Sequence, residues 1–305
     1  MPTPQRVIDC AATGSVAVVE HQDGEQAPDT VPGKIDASPL TGVSETALLT
    51  LNGRAAQARH PHAIIDDPMA VHLADAIAFD FDKFGRRKGQ EMALRSLAFD
   101  KAARQYLAEH PSATIVALAE GLQTSFWRLD AALPDARFRW LTVDFPPIIE
   151  LREQLLPPSD RIVTRAQSAL DYRWMDALDP ANGVFITAEG LLMYLQPEEA
   201  LGLIAECAGR FPGGQMIFDL PPVLVKKFAP KGMRSSKRYR VPPMPFSLSP
   251  AQLADLARSV PGIKAVHDLP MPRGRGWFFR TAFPAFWQFK PTKQIRGAYT
   301  LLEFG

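Results

Sequence analysis

The sequence predicts an α/β fold with a doubly wound, largely parallel sheet, on two observations. From residue 114 onward, short apolar runs alternate with longer amphipathic segments. The apolar runs are nearly continuous, which is typical of strands buried on both faces. A strand–helix–strand repeat requires crossovers, and these are right-handed, so helices cover both faces of the sheet. The predicted strands are Thr114–Leu118, Arg139–Asp144, 161–165, 183–188, Gln215–Leu220, Ile263–Asp268 and, as an edge strand, 298–305.

Three helices are predicted ahead of the sheet, and together they form an N-terminal helical cap over residues 44–110. The first spans 45–59, with Ser44 as its expected N-cap and leucines and alanines at helical spacing. Proline in the first turn supports a second helix over 67–76, and a third runs over 90–109. The helices expected between and after the strands begin near 124 and cover 146–156, Pro197–Arg210 and 249–259.

The remaining segments define the predicted domain organisation. Residues 1–38 are expected to be a loosely ordered tail, whose apolar run 15–19 is compatible with a small strand. Residues 39–305 form one domain. Within it, 221–247 is predicted to be an insertion or lid, because prolines are frequent and no acidic side chain occurs from 220 to 254.

Composition excludes several classes of protein. With 34 basic and 33 acidic residues, the net charge of +1 argues against a surface that tracks nucleic acid or anionic membrane. No apolar run approaches the ~20 residues of a spanning helix, and residues 1–20 lack a secretory signal pattern. Cys10 and Cys207 are too few for a disulfide framework, and His60 and His62 have no companion ligands nearby. A reduced, cytoplasmic, metal-free protein is expected.

Acidic residues collect where the predicted strands end. Glu120 and Gly121 follow the first strand, Asp144 ends the second, Glu189 follows the fourth and Asp219 lies near the end of the fifth. In open parallel sheets, ligands bind outside the carboxyl ends of the strands. The positions of these acids therefore indicate which chemical groups the ligand carries.

The first turn favours S-adenosylmethionine over a dinucleotide. It reads A-E-G-L-Q-T, with one glycine instead of the three that receive a pyrophosphate, and Glu120 is expected to repel one. A ligand with a ribose, an ammonium and a sulfonium but no phosphate suits acidic neighbours. Asp144 lies 23 residues after Gly121, near the offset of about 20 at which an acid accepts ribose hydroxyls.

Several segments of the chain, in a shared order, resemble the leucine carboxyl methyltransferase family, especially its bacterial polyketide O-methyltransferase branch. The resemblance runs from about residue 42 to the C-terminus, and 189–195 (EGLLMYL) is its most specific part. The other matching segments are 43–48 (VSETAL), Arg54-Ala55, 66–70 (DDPMA), Arg95 near Asp100, 118–124 (LAEGLQT), Arg128-Leu129 and 143–146 (VDFP).

The resemblance implies a class I S-adenosylmethionine-dependent methyltransferase (Rossmann-like) fold with extra N-terminal helices and a lid insertion. It implies that Arg95 pairs with the methionine carboxylate of the cofactor and that Gly121 allows close backbone approach. Asp144 would bind the ribose, Glu189 would lie beneath the sulfonium, and S-adenosyl-L-homocysteine would be the product. The full cofactor-binding set expected is Arg95, Ala119, Glu120, Gly121, Asp144, Phe145, Ser168, Ala169, Leu170, Glu189 and Gly190, of which Ser168 to Leu170 would hold the adenine edge.

The chain departs from the family pattern at three positions. Ala119 replaces the first glycine of the turn, Gln123 replaces an acid, and Ser125 replaces an arginine. The added methyl narrows the cofactor turn, and Gln123 removes a negative charge near it. Both changes are expected to affect affinity for the cofactor.

Three site residues also have structural interpretations. Glu189 could cap the following helix, although a carboxylate placed directly after an apolar strand is costly without a partner. Asp144 could be the N-cap of the proline-started helix after it. Arg95, taken without the resemblance, reads as a surface arginine of a helix.

The acceptor side is predicted from a basic run and an aromatic cluster. The run is compatible with a solvated lid or with a mouth that receives an acidic substrate. Trp277, with Phe278 and Phe279, is expected to form an apolar substrate wall. The predicted acceptor residues are Tyr194, Arg238, Arg275 and Trp277; the run comprises Lys226, Lys227, Lys231, Arg234, Lys237, Arg238 and Arg240, followed by Arg273 and Arg275.

The leading hypothesis is methyl transfer to a carboxylate or hydroxyl oxygen of a small molecule, polyketide-like or otherwise acidic. An ionised carboxylate needs no general base, whereas a phenol would need one of four unranked candidates. The alternatives are a cofactor-binding protein without turnover, a nicotinamide-dependent oxidoreductase, and a protein carboxyl terminus as the acceptor. No nucleic-acid or membrane partner is expected, and the oligomeric state stays open. The candidate bases are Tyr172, Tyr194, Tyr239 and His267.

Overall fold

The computed structural model describes residues 33–85, 89–228 and 231–305, without the side chains of 226–228. Most of the predicted tail, including the run 15–19, lies outside these ranges. Ile35–Asp36 pairs in parallel with Ile77–Ala78, and Ala37 and Leu40 are buried. The packed part of the chain therefore extends to at least Ile35, ahead of the boundary expected at residue 39.

A seven-stranded sheet organises the domain, in the order β3-β2-β1-β4-β5-β7-β6. Strands β1 to β5 are parallel, and β7 runs antiparallel to both of its neighbours. The chain reverses direction across the sheet between β1 and β4, so a crevice opens at their carboxyl ends. The strands are β1 (Thr114–Leu118), β2 (Arg139–Asp144), β3 (Ile162–Ala166), β4 (Val184–Ala188), β5 (Gln215–Leu220), β6 (Ile263–Asp268) and β7 (Ala298–Phe304).

The prediction that the last strand is an edge strand is wrong. Strand β7 inserts between β5 and β6, and β6 forms the edge. Burial explains the order, because Tyr299, Thr300, Leu302 and Phe304 are buried while β6 leaves half of its residues exposed.

Local signals account for most helix starts. The Asp67 carboxylate accepts the Ala70 N–H at 3.0 Å, and reciprocal capping boxes begin α6 and α8. The expected cap at Ser44 is wrong, because α1 starts one residue later and Glu45 occupies the cap without a side-chain bond. The helices are α1 (Thr46–Ala58), α2 (Pro68–Ala76), α3 (Glu91–Glu109), α4 (Ser125–Ala132), α5 (Pro146–Leu155), α6 (Pro197–Arg210), α7 (Val223–Phe228), α8 (Pro250–Ser259) and α9 (Phe283–Gln288).

The core lies on both faces of the sheet, as the alternation of strands and helices predicted. Along β1, Val116 and Leu118 pack on the face covered by α6 and α8, whereas Ile115 and Ala117 pack on the face covered by α3 and α4. A third cluster joins α1, α2 and α5 to the insertion. It covers the carboxyl edge of the sheet, where ligands bind in this architecture.

The insertion between β5 and α8 packs on the N-terminal helical cap. Its hairpin pairs Met233–Arg234 with Arg240–Val241, and Ser235 Oγ donates to the Phe84 carbonyl at 3.2 Å. Tyr239 contacts the Phe84 ring edge-on, with centroids 4.7 Å apart. In the part of the chain that the structure describes, no helix is long and apolar enough to cross a membrane.

Candidate active site

A cavity of about 570 Å³ lies between the carboxyl ends of the strands, α1 and the insertion. Every residue predicted for the cofactor lines it, although the sequence spreads them over 96 positions (Arg95 to Gly190, both included). Tyr194, predicted for the acceptor, also lines it, whereas Arg238, Arg275 and Trp277 do not. The residues predicted to bind the cofactor, which the fold brings together here, are Arg95, Ala119, Glu120, Gly121, Asp144, Phe145, Ser168, Ala169, Leu170, Glu189 and Gly190.

The turn after β1 has a left-handed backbone at both Ala119 (φ +48°) and Gly121 (φ +58°). Among the described residues, Ala119 is the one non-glycine with a positive φ, a conformation that costs an L-residue roughly 1–2 kcal/mol. A Cβ on Gly121 would lie 3.0 Å from the Ala47 side chain, so α1 packs directly on the turn. The glycine is therefore required both by conformation and by packing.

The Asp144 carboxylate ties the β1 turn to the end of β2. Oδ2 accepts the Gly121 N–H and Oδ1 accepts the Phe145 N–H, each at 2.7 Å. Phe145, and not Asp144, is the N-cap residue of α5, which corrects the helix-cap interpretation. Burial raises the pKa of the Asp144 carboxyl to about 6. A carboxylate has about four lone-pair sites, so two remain for a hydroxyl donor in the cavity.

The Glu120 carboxylate is held within the protein. Oε2 accepts from Trp140 Nε1 at 3.2 Å and from Thr142 Oγ1 at 2.5 Å, and Oε1 lies 3.0 Å from Arg152 Nη2. Its charge is balanced by a buried arginine. The argument that Glu120 repels a pyrophosphate is therefore wrong, and the preference for a phosphate-free ligand depends on the other acids.

Two buried arginines, to which the sequence analysis assigned no role, hold the carbonyls of the turn. Arg152 Nη1 donates to the carbonyls of Gly121 and Gln123 at 2.8 and 2.9 Å. Arg54 Nη2 donates to the Leu122 carbonyl at 2.6 Å. The sequence signal for Arg54 was its place in a segment that resembles the family. Arg152 gave no such signal, because an arginine in a helix such as α5 is usually exposed to solvent.

Arg95 and two carboxylates form the charged end of the cavity. Arg95 Nε donates to Glu189 Oε1 at 2.9 Å, and Nη1 lies 3.5 Å from Asp219 Oδ2. Burial alone would lower the pKa of Arg95, but these carboxylates outweigh it and raise that pKa. Asp219 Oδ1 also accepts the Gly190 N–H at 2.7 Å, and a Cβ on Gly190 would lie 3.3 Å from Arg95 Nη1. The surface interpretation of Arg95 and the cap interpretation of Glu189 are both wrong.

The hydrogen bonds of Gln123 explain why an amide occupies this position instead of the acid of the family pattern. Its Nε2 donates to Ser96 Oγ and to Glu189 Oε1, both at 2.7 Å. A carboxylate at position 123 would lie against the Glu189 carboxylate and would have no N–H to donate to it. Arg128 donates to Gln123 Oε1 at 3.4 Å and to Ser125 Oγ at 2.8 Å, so the second and third departures share one buried network. Arg128 is anchored in turn by Asp67 and Asp100.

The other half of the cavity is apolar. Its apolar residues come from α1 and the chain just before it, the short helix Phe81–Phe84, α3, α5, the segment after β4 and the insertion. Burial raises the pKa of the Tyr194 hydroxyl to about 12, so it stays protonated near neutral pH. The apolar wall comprises Val43, Leu49, Phe84, Met92, Ile148, Leu191, Met193, Leu195, Met233, Val241 and Met244.

Three predicted acceptor residues lie away from this wall. Arg238 pairs with Asp80 at 2.6 Å on the surface, and Arg275 donates to the His62 carbonyl at 2.8 Å. Trp277 is 76% exposed. The prediction that these three residues contact the acceptor is corrected. Arg238 lies on the surface of the insertion hairpin, and Arg275 and Trp277 lie in the chain after β6, outside the cavity wall. Of the four candidate bases, only Tyr194 lines the cavity, and no cluster of three metal-ligating side chains occurs among the described residues.

The residues present fit S-adenosylmethionine. Arg95 supplies a cation at a cavity end rich in carboxylates, and the lack of a side chain at Gly190 leaves space beside it. The buried Asp144 carboxylate at the glycine turn can still accept a hydrogen bond from a ligand.

Comparisons with known proteins agree with this geometry. The leucine carboxyl methyltransferase family model matches residues 47–208. The chain is 31% identical over 228 residues to the tetracenomycin polyketide synthesis O-methyltransferase TcmP of Streptomyces glaucescens, covering 74% of this chain and 82% of that protein. It is 26% identical over 268 residues to the S-adenosyl-L-methionine-dependent methyltransferase dpfgK of Gibberella zeae, covering 78% and 87%.

A crystal structure of a Thermobifida fusca YX protein shares the fold, with a TM-score of 0.50 and 15% identity over 84% of this chain and 94% of that one. The predicted fold, family, methyltransferase activity and cofactor are thereby confirmed. This chain belongs to the leucine carboxyl methyltransferase family and is an S-adenosylmethionine-dependent methyltransferase.

Proposed function

We propose that the enzyme methylates a carboxylate oxygen of a small, largely apolar, polyketide-like molecule. The observation that carries the proposal is the apolar half-cavity beside the charged end, in which Tyr194 is the candidate base that lines the wall. The printed name of the TcmP relative, a polyketide synthesis O-methyltransferase, agrees with this class of acceptor.

The charged end of the cavity would hold the cofactor. Arg95 would hold the methionine carboxylate, Asp144 the ribose and the 168–170 turn the adenine edge, with Glu189 beneath the sulfonium. When bound, S-adenosylmethionine supplies an electrophilic methyl group. The chain's own contribution is alignment and exclusion of water. Alignment of two reactants is worth roughly 7–11 kcal/mol, and a dry wall strengthens the attraction between opposite charges.

The state of Tyr194 favours a carboxylate over a phenol. Because its pKa is raised to about 12 by burial, its hydroxyl donates a hydrogen bond near neutral pH and is a poor base. An ionised carboxylate carries its own lone pair and requires no proton removal. A hydrogen bond from Tyr194 would orient that group.

The contacts of the insertion argue for an apolar acceptor body instead of a highly charged one. Arg234 Nε donates to the Ser236 carbonyl at 3.0 Å, and Arg240 Nη1 donates to the Gly232 carbonyl at 2.9 Å. Arg238 is paired with Asp80. These cations stabilise the hairpin. Among the described residues that line the cavity, Arg95 is the one cation.

The test uses methyl-labelled S-adenosylmethionine with an aromatic carboxylic acid and with a phenol of the same ring skeleton. Methyl esters release methanol in mild base, whereas aryl methyl ethers do not. The proposal expects base-labile label on the acid and at least tenfold less label on the phenol. Base-stable label on the phenol would show hydroxyl transfer and overturn it.

Two tyrosine variants complete the experiment. Tyr194→Phe is expected to lower turnover of the acid about tenfold, because a hydrogen bond to a charged group is lost. Tyr239→Phe is the matched control, because Tyr239 is buried outside the cavity wall and its hydroxyl has no hydrogen-bond partner among the described residues. Equal loss in both variants would exclude a role of Tyr194 at the acceptor.

A further inference from the structure

The segment after β6 carries an exposed aromatic surface that the methyltransferase site does not use. We call it the aromatic face and define it as Trp277, Phe278, Phe286 and Phe289 with the neighbouring cations Arg280 and Lys290. Trp277 is 76%, Phe289 61% and Phe278 52% exposed. Single exposed apolar side chains are ordinary, but a cluster of large ones marks an interaction site.

The aromatic face is supported from beneath by packed aromatic rings. The π-helical turn Phe278–Ala282 leads directly into α9, and the inward side of this segment packs Trp287 on Tyr299 with ring centroids 5.2 Å apart. Phe283 connects the two sides, because its ring lies 5.6 Å from Phe278 and 6.3 Å from Phe286. The segment is thus apolar on both sides, although one side faces solvent. Internal packing explains only the inner side.

The segment that carries the aromatic face has charged residues of one sign. No acidic residue occurs between Asp268 and Glu303, a stretch that contains six basic residues. Lys293 and Arg296 pair with Asp268. Arg280 and Lys290 are exposed, and within the described ranges neither has a recorded ion-pair partner. The surface therefore combines bulky aromatics with uncompensated positive charge.

We propose that the aromatic face docks on an anionic membrane surface. Aromatic rings favour the boundary between water and hydrocarbon, and cations beside them meet anionic headgroups. A second copy is a poorer occupant, because a two-fold contact would bring together two identical faces that both carry the cations Arg280 and Lys290. Peripheral docking requires no spanning helix. The expectation of no membrane partner, drawn from net charge and apolar run length, considered neither local charge nor clustered aromatics.

The segment that carries the aromatic face is tied by hydrogen bonds to a stretch of chain that lines the methyltransferase cavity. Gln90 Nε2 donates to the Arg275 carbonyl at 3.0 Å, and the Arg275 N–H donates back to Gln90 Oε1 at 2.6 Å. The residues on either side of Gln90, Gly89 and Glu91, line the cavity. Docking would therefore bring the site close to a phase in which apolar molecules dissolve.

The experiment uses vesicles of phosphatidylcholine alone and of phosphatidylcholine with phosphatidylglycerol. Trp277 is the most exposed of the five tryptophans, so it reports insertion directly. We expect a blue shift of its emission and quenching by brominated lipid, with the phosphatidylglycerol vesicles only. Replacement of Phe286 and Phe289 by Ser should lower partitioning at least tenfold. Each of Arg280→Gln and Lys290→Gln should lower it about fivefold on anionic vesicles.

Two control variants make the same kinds of replacement at exposed positions outside the aromatic face. Val163→Ser removes an exposed apolar side chain from β3, and Arg139→Gln removes an exposed cation at the start of β2. Both should partition as the unmodified protein does. None of the replaced residues lines the cavity, so methyl transfer in solution should persist in all variants. Failure of the proposed acceptor chemistry would leave this experiment unaffected.

Absence of binding to anionic vesicles, or equal binding by the Phe286/Phe289 double variant, would overturn the proposal. Self-association that depends on Phe286 and Phe289, measured by sedimentation without vesicle binding, would also overturn it and assign the face to a second copy. Equal binding to neutral and anionic vesicles would refute the role given to the cations.

Discussion

Replacement of Ala119 by Gly tests whether the turn after β1 is strained. Ala119 has φ +48°, and its methyl group is only partly buried at the cavity wall. Relief of the left-handed conformation should return about 1–2 kcal/mol, while the freer unfolded chain of glycine costs about 0.4–1 kcal/mol. The net expectation is a gain of about 0.5–1 kcal/mol in the free energy of unfolding.

Ala117→Gly is the matched control for this replacement. Ala117 lies two residues earlier in β1, is buried and has ordinary strand conformation. Loss of a buried methyl costs about 0.8 kcal/mol, and glycine within a strand about 0.5–1 kcal/mol more. Ala117→Gly should therefore lose about 1.3–1.8 kcal/mol, so the two variants should differ by about 1.8–2.8 kcal/mol.

Urea titration of the two variants at the same pH, with unchanged denaturant dependence, measures this difference. Calorimetry with S-adenosylhomocysteine then checks that the Ala119→Gly site is intact. A midpoint for Ala119→Gly that falls as far as that of Ala117→Gly would refute the strain argument.

Three further changes probe the charged contacts of the site. Arg152→Met should lower the free energy of unfolding by about 3–5 kcal/mol in urea titration, because it leaves Glu120 buried without a cation, and adding Glu120→Gln should restore part of the loss. The pKa of Asp144 is raised from 3.8 to about 6, so its stabilising contribution is present below about pH 4 and is lost as the pH rises through about 6. Urea titrations over that range should show the unmodified protein losing stability relative to Asp144→Asn. Gly190→Ala places a Cβ 3.3 Å from Arg95 Nη1 at φ +69° and should weaken S-adenosylhomocysteine binding about tenfold by calorimetry.

Each of these changes has an outcome that contradicts it. Unfolding of Arg152→Met within about 1 kcal/mol of the unmodified protein would show that the pair contributes little. A parallel pH dependence of the unmodified protein and Asp144→Asn would exclude the raised pKa. Gly209→Ala controls for Gly190→Ala, because a Cβ there meets nothing within 4 Å and its cofactor affinity should not change.

The sequence alone predicted the elements of the sheet and which residues meet at the charged end of the cavity. Strand β1 and strand β2 were predicted to the residue, because short apolar runs with flanking turns are local signals. Asp144 and Glu189 were identified from their positions at strand ends, which parallel topology brings to one edge. Such inferences need only neighbouring residues and one general property of parallel sheets.

Tertiary structure decided what depends on distant partners. The place of β7 between β5 and β6 was not readable from its own sequence, because strand order is set by pairing across the fold. The inward contacts of Glu120 depend on Arg152, 32 positions later, and the amide of Gln123 on Glu189, 66 positions later. The wrong placement of Arg275 and Trp277 has the same origin, since residue type does not reveal which side of the domain a loop follows. Local periodicity determines where a strand or helix forms, but long-range contacts decide what its side chains meet.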